Sequence, residues 1–390
     1  MNTVDLVLCL LTIPMAIWVA VLLLQSLWAV FPARSAVRTL LRPRVAILIP
    51  AHNEAAGIAL TLQSLAPQLQ LGDRILVIAD NCTDDTARIA ASFGAEVVER
   101  HDTQHRGKGY ALDLGVRSLA ENAPKIVIII DADCTADARS IDHLVQSCHA
   151  TERPVQALYL MQSQRVEALP GPLGQLREFA WVVRNLVRPL GNLRMGLPCQ
   201  LMGTGMAFPW PLIAKASLAN SHLVEDMQLG VDLARAGAAP VFCPQAVVRS
   251  EFPISTAGAG QQRRRWEHGH LGMIIGTVPG LLFDAVRQRN GGLLALAVDM
   301  SVPPLALLVL LLLTLSGLAA LSQSFISLTA LLGLWALLST AIFLAWWRHG
   351  RQLLKLRTLL LTPFYVLAKL PLYIGFLRRR QTEWVRSSRD

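Results

Sequence analysis

Asp131 and Asp133, the acids of the run DAD, have the type and spacing to hold a metal ion. Two carboxylates one residue apart on a tight turn supply hard oxygen donors and leave positions open for phosphate. Magnesium or manganese suits such a pair. Other reactive residues also follow short apolar runs: His52, Asn53 and Glu54 come after VAILIP, and Asp80 and Asn81 end DRILVIAD and its next residue. One carboxylate at a strand end is usually a cap for the next helix. Carboxylates at two strand ends of one sheet, one of them in a D-x-D pair, point to a site. Between these runs lies RGKG, where Lys108 offers a point charge to a diphosphate and two glycines permit close backbone approach. Further on come GTGMAF, beginning at Gly203, and HLVEDMQLGVDLARAG, ending at Gly237. Glu225 and Asp226 open the helix in the latter, where acids suit the dipole; one of them could also serve as a base. Gln261 to His270 read QQRRRWEHGH, an uninterrupted cluster of positive charge beside a tryptophan.

These residues need a scaffold that gathers strand ends. VAILIP, DRILVIAD, AEVVER and KIVIIID read as strands. Residues 57–69, TDDTARIAASFG with a threonine cap and a closing glycine, and GKGYALDLGVRSLA read as the helices between them. Alternation of continuous apolar strands with helices predicts a parallel sheet covered by helices. Ligands bind at the carboxyl ends of strands in such sheets. There is no GxxxxGK[ST] and no GxGxxG after the first strand, so P-loop and dinucleotide sites are unsupported. Six cysteines occur without a CxxC pair, which leaves them as small core residues. Residues 164–199 read as a loop region that shapes the pocket.

The 390 residues are 53% hydrophobic and only 16% charged, with a net charge of +9 and a mean hydropathy of +0.42. That composition is too apolar for an ordinary soluble chain. The positive charge fits the cytoplasmic flanks of a membrane protein better than a nucleic-acid binder. Val4 to Phe31 is long enough to span a bilayer and is followed by Arg34, Arg38, Arg42 and Arg44. The positive-inside rule then puts the polar region in the cytoplasm of a bacterial cell, at its inner membrane. Expected divisions are an N-terminal transmembrane helix at 1–33, a cytoplasmic catalytic domain at 34–260, and interfacial helices at 261–292. A transmembrane hairpin at 293–347 follows, interrupted by Pro303 and Pro304 and containing Asp299. Residues 348–390 are expected to form interfacial or re-entrant helices, or a further span, with a basic tail.

Taken in order, PAHNE, Asp80, the GKG around Lys108, DAD, GTG, VED at Val224 to Asp226 and Q-x-x-R-W resemble the membrane-bound family 2 glycosyltransferases, which include cellulose, chitin and hyaluronan synthases. Only Gln262, Arg265 and Trp266 fit the last motif's register. The resemblance covers about residues 44 to 270. It implies an α/β GT-A (Rossmann-like) fold with α-helical transmembrane segments. It also implies inverting hexosyl or N-acetylhexosaminyl transfer from a nucleotide-diphosphate sugar, usually a UDP-sugar, with Mg2+ or Mn2+. Carried over, Asn53, Glu54, Asp80, Lys108, Asp131 and Arg265 would bind the donor, and Asp131 and Asp133 the metal. Asp226 would be the general base. Gly203, Thr204, Gly205, Glu225, Gln262 and Trp266 would face the acceptor. Arg263 and Arg264 are left as structural or membrane-facing charge. His52 departs from the aromatic residue of many relatives, and His268 and His270 are candidates for the interface or the metal. The acceptor is expected to be lipid-linked or a saccharide in exopolysaccharide or cell-envelope glycan synthesis, with membrane lipids and other synthesis or export proteins as partners and no nucleic acid. A processive synthase is the alternative, weakened by only about three secure spans; a non-catalytic nucleotide-sugar-binding scaffold is a further one.

Overall fold

The computed structural model describes residues 3–32, 42–163, 171–220, 222–252 and 256–378. Arg34, Arg38, residues 164–170 and the basic tail from 379 lie outside the described residues. The described chain forms two compact units. One comprises residues 42–162, 198–252 (except 221) and 256–266; the other comprises 3–32, 163, 171–197 and 267–378.

The first unit is built on an eight-stranded sheet. Its strands are β1 (Val45–Ala51), β2 (Arg74–Asp80), β3 (Glu96–Arg100), β4 (Ile126–Ile129), β5 (Thr135–Ala136), β6 (Val155–Gln162), β7 (Met206–Pro209) and β8 (Val241–Glu251). Their order is β3-β2-β1-β4-β7-β6-β8-β5. The first four are parallel, as their apolar runs predict. The expectation of a parallel sheet fails beyond them. β7 runs antiparallel to both β4 and β6, β5 antiparallel to β8, and only β6 and β8 restore a parallel pair. The sheet is therefore mixed. Four apolar residues such as MAFP show that a strand is buried, not which way it points.

This order decides what meets at the sheet edge. β1 lies between β2 and β4, so Ala51, Asp80 and Ile129 end in neighbouring rows. Because β7 enters in reverse, its first residue, Met206, pairs with Ile129. The GTG turn before β7 therefore lies beside the DAD turn after β4. Below that edge, Leu48, Leu76, Ile78 and Ile129 pack under Leu112, Leu119 and Phe208, all essentially without solvent contact. Capping differs in one place from the sequence reading. The helix Thr86–Ser92 is not opened by a threonine cap at Thr83; the Asp84 carboxylate accepts the Thr86 N–H at 3.0 Å. Gly94, at φ +80°, closes it as expected.

The second unit is helical. Residues expected to be loop between 164 and 199 instead carry the helix Pro172–Val182, a wider turn Val183–Val187 and the helix Arg188–Arg194. Three helical runs, Thr3–Ala29, Phe325–Gly350 and Leu356–Arg378, are long and apolar enough to cross a membrane. Gly291–Ser301 and Leu305–Leu321 also pass that test together, although bent by 70° at Pro303 and Pro304. Leu8, Met15, Val19 and Leu22 of the first helix pack with Leu308, Leu312, Leu331 and Leu338.

Several polar groups inside this unit are paired across helices. Asp299 Oδ1 accepts from Gln25 Nε2 at 2.6 Å and Arg188 Nη2 at 2.9 Å, and Gln25 also reaches Asn192. Lys369, an odd charge in an apolar run, pairs with Glu267 at 2.6 Å. His268 and His270 donate from Nε2 to the carbonyls of Leu372 and Met300, each at 3.2 Å. Both histidines are therefore occupied within the helical unit.

Gly191 makes the Gln25 contact possible. A Cβ at this position would lie 2.2 Å from the Gln25 carbonyl oxygen. Gly191→Ala should force the two helices apart and cost about 1–3 kcal/mol. Gly317, with nothing within 4 Å of such a Cβ, is the control; its alanine variant should melt at or above the parent temperature. Thermal unfolding in detergent measures both.

Candidate active site

A cleft of about 760 Å³ opens along the carboxyl edge of the parallel strands. Its wall includes His52, Asn53 and Glu54 after β1, Asp80 and Asn81 at β2, Lys108 from the next helix, Asp131 to Asp133 after β4, and Arg265.

At one end, Asp80 Oδ1 accepts from Arg100 Nη1 at 2.7 Å and Asn81 Nδ2 at 2.9 Å. Among the described residues its Oδ2 has no such partner, so that oxygen keeps its acceptor capacity. Arg100 also binds Asp102 at 3.0 Å and the His105 carbonyl at 2.8 Å. Arg100 was not singled out from the sequence. Its pairing follows from the β2–β3 register, which sets Asp80 opposite Arg100. His101, Thr103 and Arg106 also line the cleft without having carried a recognisable signal beyond their neighbourhood. The β1 loop is stitched to the β2 loop. Asn53, at φ +54°, accepts the Thr83 N–H at 2.7 Å through Oδ1, and the Glu54 N–H donates to Thr86 Oγ1. His52 donates from Nδ1 to the Asp80 carbonyl at 2.6 Å.

Lys108 occupies the centre. Gly107 before it has φ +133°, a conformation open to glycine. A Cβ on Gly109 after it would lie 2.4 Å from the Leu218 carbonyl oxygen. Thus each glycine of GKG has its own steric reason. Lys108 Nζ lies 2.5 Å from Asp131 Oδ1 and donates to the Gly203 carbonyl at 2.7 Å. Burial alone would push this ammonium toward neutrality; Asp131, Glu225 and Asp226 outweigh it and raise the pKa above the ordinary lysine range.

The GTG turn serves this centre in three ways. Gly203, at φ +91°, supplies the carbonyl to Lys108, and a Cβ there would lie 3.4 Å from Asp226 Oδ2. Thr204 has no exposed surface, and its Oγ1 accepts the Asp131 N–H at 3.0 Å. Thr204 thus holds the Asp131 backbone in place. Gly205, at φ +66°, is crowded by Ala157 and Val248, 2.8 and 2.9 Å from where a Cβ would be. It too is a packing requirement.

Asp131, Asp133 and Cys134 present ligand atoms within 4.8 Å of one another. Burial first, then Asp133 and Asp131, hold the Cys134 thiol well above its usual pKa. It donates to Asp133 Oδ1 at 3.3 Å, and Ser250 donates to Oδ2 at 3.4 Å. The available donors are therefore carboxylate oxygens, a set that fits a hard divalent ion.

Glu225 and Asp226 begin the helix Glu225–Arg235, as their spacing predicts. They do not line the main cleft; with Gly109, Leu218 and Asn220 they border a small recess beside it. Burial and then Asp226 push the Glu225 carboxyl up to about 7, against the pull of Lys108 and Arg265. Arg265 is in the cleft wall, and its buried Nε has no hydrogen-bond partner among the described residues. Gln262 is buried and Trp266 half-buried, and neither belongs to that wall. Arg264 is exposed and Arg263 half-buried.

Residues 43–269 match the family described as "Glycosyltransferase like family 2". The "Probable glycosyltransferase YdaM" of Bacillus subtilis is 24% identical over 257 residues, 60% of this chain and 56% of that protein. The match thus spans little more than half the length of that relative. An uncharacterized glycosyltransferase of Mycobacterium tuberculosis is 29% identical over 197 residues, 46% of this chain and 82% of that one. Among solved structures, the mannosyltransferase PcManGT from Pyrobaculum calidifontis, in complex with GDP-Man and Mn2+, is 18% identical. The likeness covers 97% of this chain and 100% of that one, with a TM-score of 0.55, and it concerns the fold. The mixed sheet with its strand-end cleft is a GT-A fold with additional apolar helices. Since the family match takes in more than half of the chain and the whole candidate site, the chain belongs to glycosyltransferase family 2.

Proposed function

We propose that the chain is an inverting membrane glycosyltransferase that moves a hexosyl or N-acetylhexosaminyl group from a UDP-sugar to a lipid-linked or saccharide acceptor in cell-envelope glycan synthesis. The observation that carries this reading is the single cleft that joins Asp80, Lys108, Asp131, Asp133 and Arg265. Its cations and carboxylates are the groups a nucleotide diphosphate and its metal require. The apolar helical runs support placement in a membrane.

Asp131 and Asp133 would hold Mg2+ or Mn2+, which neutralises charge on the departing diphosphate when bound. Asp80, fixed by Arg100, accepts from the nucleoside at one end. Arg265 directs guanidinium donors to the diphosphate, where negative charge grows. The acceptor hydroxyl loses its proton to Asp226 as its oxygen bonds to the anomeric carbon. The bond from that carbon to the diphosphate oxygen breaks, and its electron pair leaves with the nucleoside diphosphate. Attack opposite the leaving group inverts the centre. The adjoining Glu225 and Asp226 cannot both ionise freely in one half-buried place, so Glu225 retains its proton more readily and Asp226 is the proton acceptor.

The decisive experiment supplies radiolabelled nucleotide sugars to membranes carrying the chain and identifies the product. One added sugar supports the stated reading, whereas a ladder of products replaces it with a processive synthase. Asp226→Asn should lower kcat by roughly 10²- to 10⁴-fold while UDP binding stays near the parent value. Full activity in this variant removes Asp226 from the role of base. Chelation of divalent metal should stop transfer, with Mg2+ or Mn2+ restoring it; an unchanged rate would detach Asp131 and Asp133 from metal binding.

Glu225 also predicts a pH dependence of stability. Its folded pKa, about 7, exceeds the ordinary 4.5. The protonated carboxyl therefore favours the fold fully below the ordinary value, and this advantage is lost as pH rises through the folded one. Glu225→Gln, neutral throughout, should gain thermal stability relative to the parent between about pH 5 and about pH 8. Melting curves at both ends check the sign.

A further inference from the structure

The helical unit carries a charged feature that sugar transfer leaves unused. Between Asp299 and Glu383 the sequence has no acidic residue, yet it has Arg348, Arg351, Lys355 and Arg357 within ten positions. All four are exposed, and none forms an ion pair among the described residues. Lys369, by contrast, lies in the same acid-free stretch but finds Glu267.

Arg348 ties the start of this basic run to one end of the unit. Arg348 Nε donates to the Val30 carbonyl at 3.0 Å, and His349 Nε2 to the Ala29 carbonyl at 2.9 Å. The Arg194 guanidinium lies 6.0 Å from the centre of the Phe31 ring. Its buried Nε has no hydrogen-bond partner among the described residues. Two chain segments thus bring basic side chains to the C-terminal end of the helix Thr3–Ala29. Helix-end carbonyls account for one nitrogen of Arg348. They do not account for Arg351, Lys355 or Arg357.

Exposed apolar side chains alternate with these cations. Trp347 is 43%, Leu356 49% and Leu360 77% exposed. A surface that mixes long basic stems with bulky apolar groups is poorly served by water alone. At a bilayer boundary, the stems carry charge to the phosphates while Trp and Leu enter the acyl margin. Net positive charge without internal acids favours negatively charged headgroups over zwitterionic ones.

We propose that residues 347–360 form a docking surface for anionic phospholipid headgroups, with Arg351, Lys355 and Arg357 supplying the charge and Trp347, Leu356 and Leu360 the apolar anchor. The inference rests on the proposed membrane placement of the helical unit. It is separate from the donor cleft, so loss of one need not disturb the other.

The test uses the full chain in nanodiscs of phosphatidylcholine with a minority of phosphatidylglycerol. After gentle detergent release, native mass spectrometry counts the retained lipids. The parent should retain phosphatidylglycerol over phosphatidylcholine by roughly tenfold relative to their supply, since each basic residue near a surface is worth a severalfold preference. The triple variant R351Q/K355Q/R357Q should fall close to parity, while R351K/R357K keeps the preference. UDP binding should be unchanged in both variants, which establishes that they are folded. No preference in the parent, or an undiminished one in the triple variant, overturns the proposal. So does abolition of the preference by millimolar inorganic phosphate, which would identify a discrete phosphate site instead of a lipid surface. A chain recovered in the soluble fraction sinks the membrane placement itself. A membrane-embedded chain without the preference sinks this inference alone.

Discussion

One ammonium group holds the candidate site together. Lys108 Nζ reaches Asp131 on the turn after β4 and the Gly203 carbonyl on the turn before β7. Those turns belong to neighbouring strands that run in opposite directions. Asp131, Glu225 and Asp226 all act on this one cation. Without it, three carboxyl groups would share a partly buried space, and like charges there favour neutralisation over ionisation. Lys108 thus pulls against the burial that raises the Glu225 carboxyl and favours the ionised form of the acids around it. The same positions explain the flanking glycines. A side chain at Gly109 would strike the Leu218 carbonyl and push the helix bearing Lys108 away from its partners.

The cation works only because the sheet order puts the right turns together. Three parallel strands in the order β2-β1-β4 bring Asp80, the His52–Glu54 turn and the DAD turn to one edge. A fourth parallel strand in the place of β7 would have started at the opposite edge and taken the GTG turn with it. The reversal of β7 instead supplies the Gly203 carbonyl that accepts from Lys108 and the Thr204 hydroxyl that holds the Asp131 backbone. The departure from an all-parallel sheet is therefore what anchors Lys108 and Asp131 in the cleft wall.

This division also marks what could be read from sequence. Continuous apolar runs gave away β1, β2 and β4, because strands buried on both faces cannot alternate; β3 is a part-exposed edge strand. DAD, Asp80 and Lys108 were visible because reactive residues followed those runs. Arg100 was hidden: its importance comes from a cross-strand register, which apolar content does not encode. Thr204 was visible as part of GTG, but its task depends on facing inward to the Asp131 N–H. The helices within residues 171–197 were missed because Gly171, Pro172 and Pro189 read as loop punctuation. Two of these fit a helix start, and Pro189 follows a wider turn that relieves the usual interior penalty.

Charge in the helical unit follows two different rules. Asp299, Glu267, His268 and His270 are buried and have partners from other helices. An unpartnered charge in their positions would be costly, because neither an apolar core nor lipid can solvate it. Arg351, Lys355 and Arg357 lie outside that constraint. They are exposed, and the sequence offers no acid within the same stretch. Solubility alone would be served by any polar residues there and would not require large apolar side chains at intervening positions. A bilayer margin explains both at once: headgroups meet the cations, and the upper acyl layer meets Trp347, Leu356 and Leu360. Asp299, Glu267, His268 and His270 thus find partners inside the unit, while the exposed cations of the proposed surface stand where phosphate could supply the missing charge.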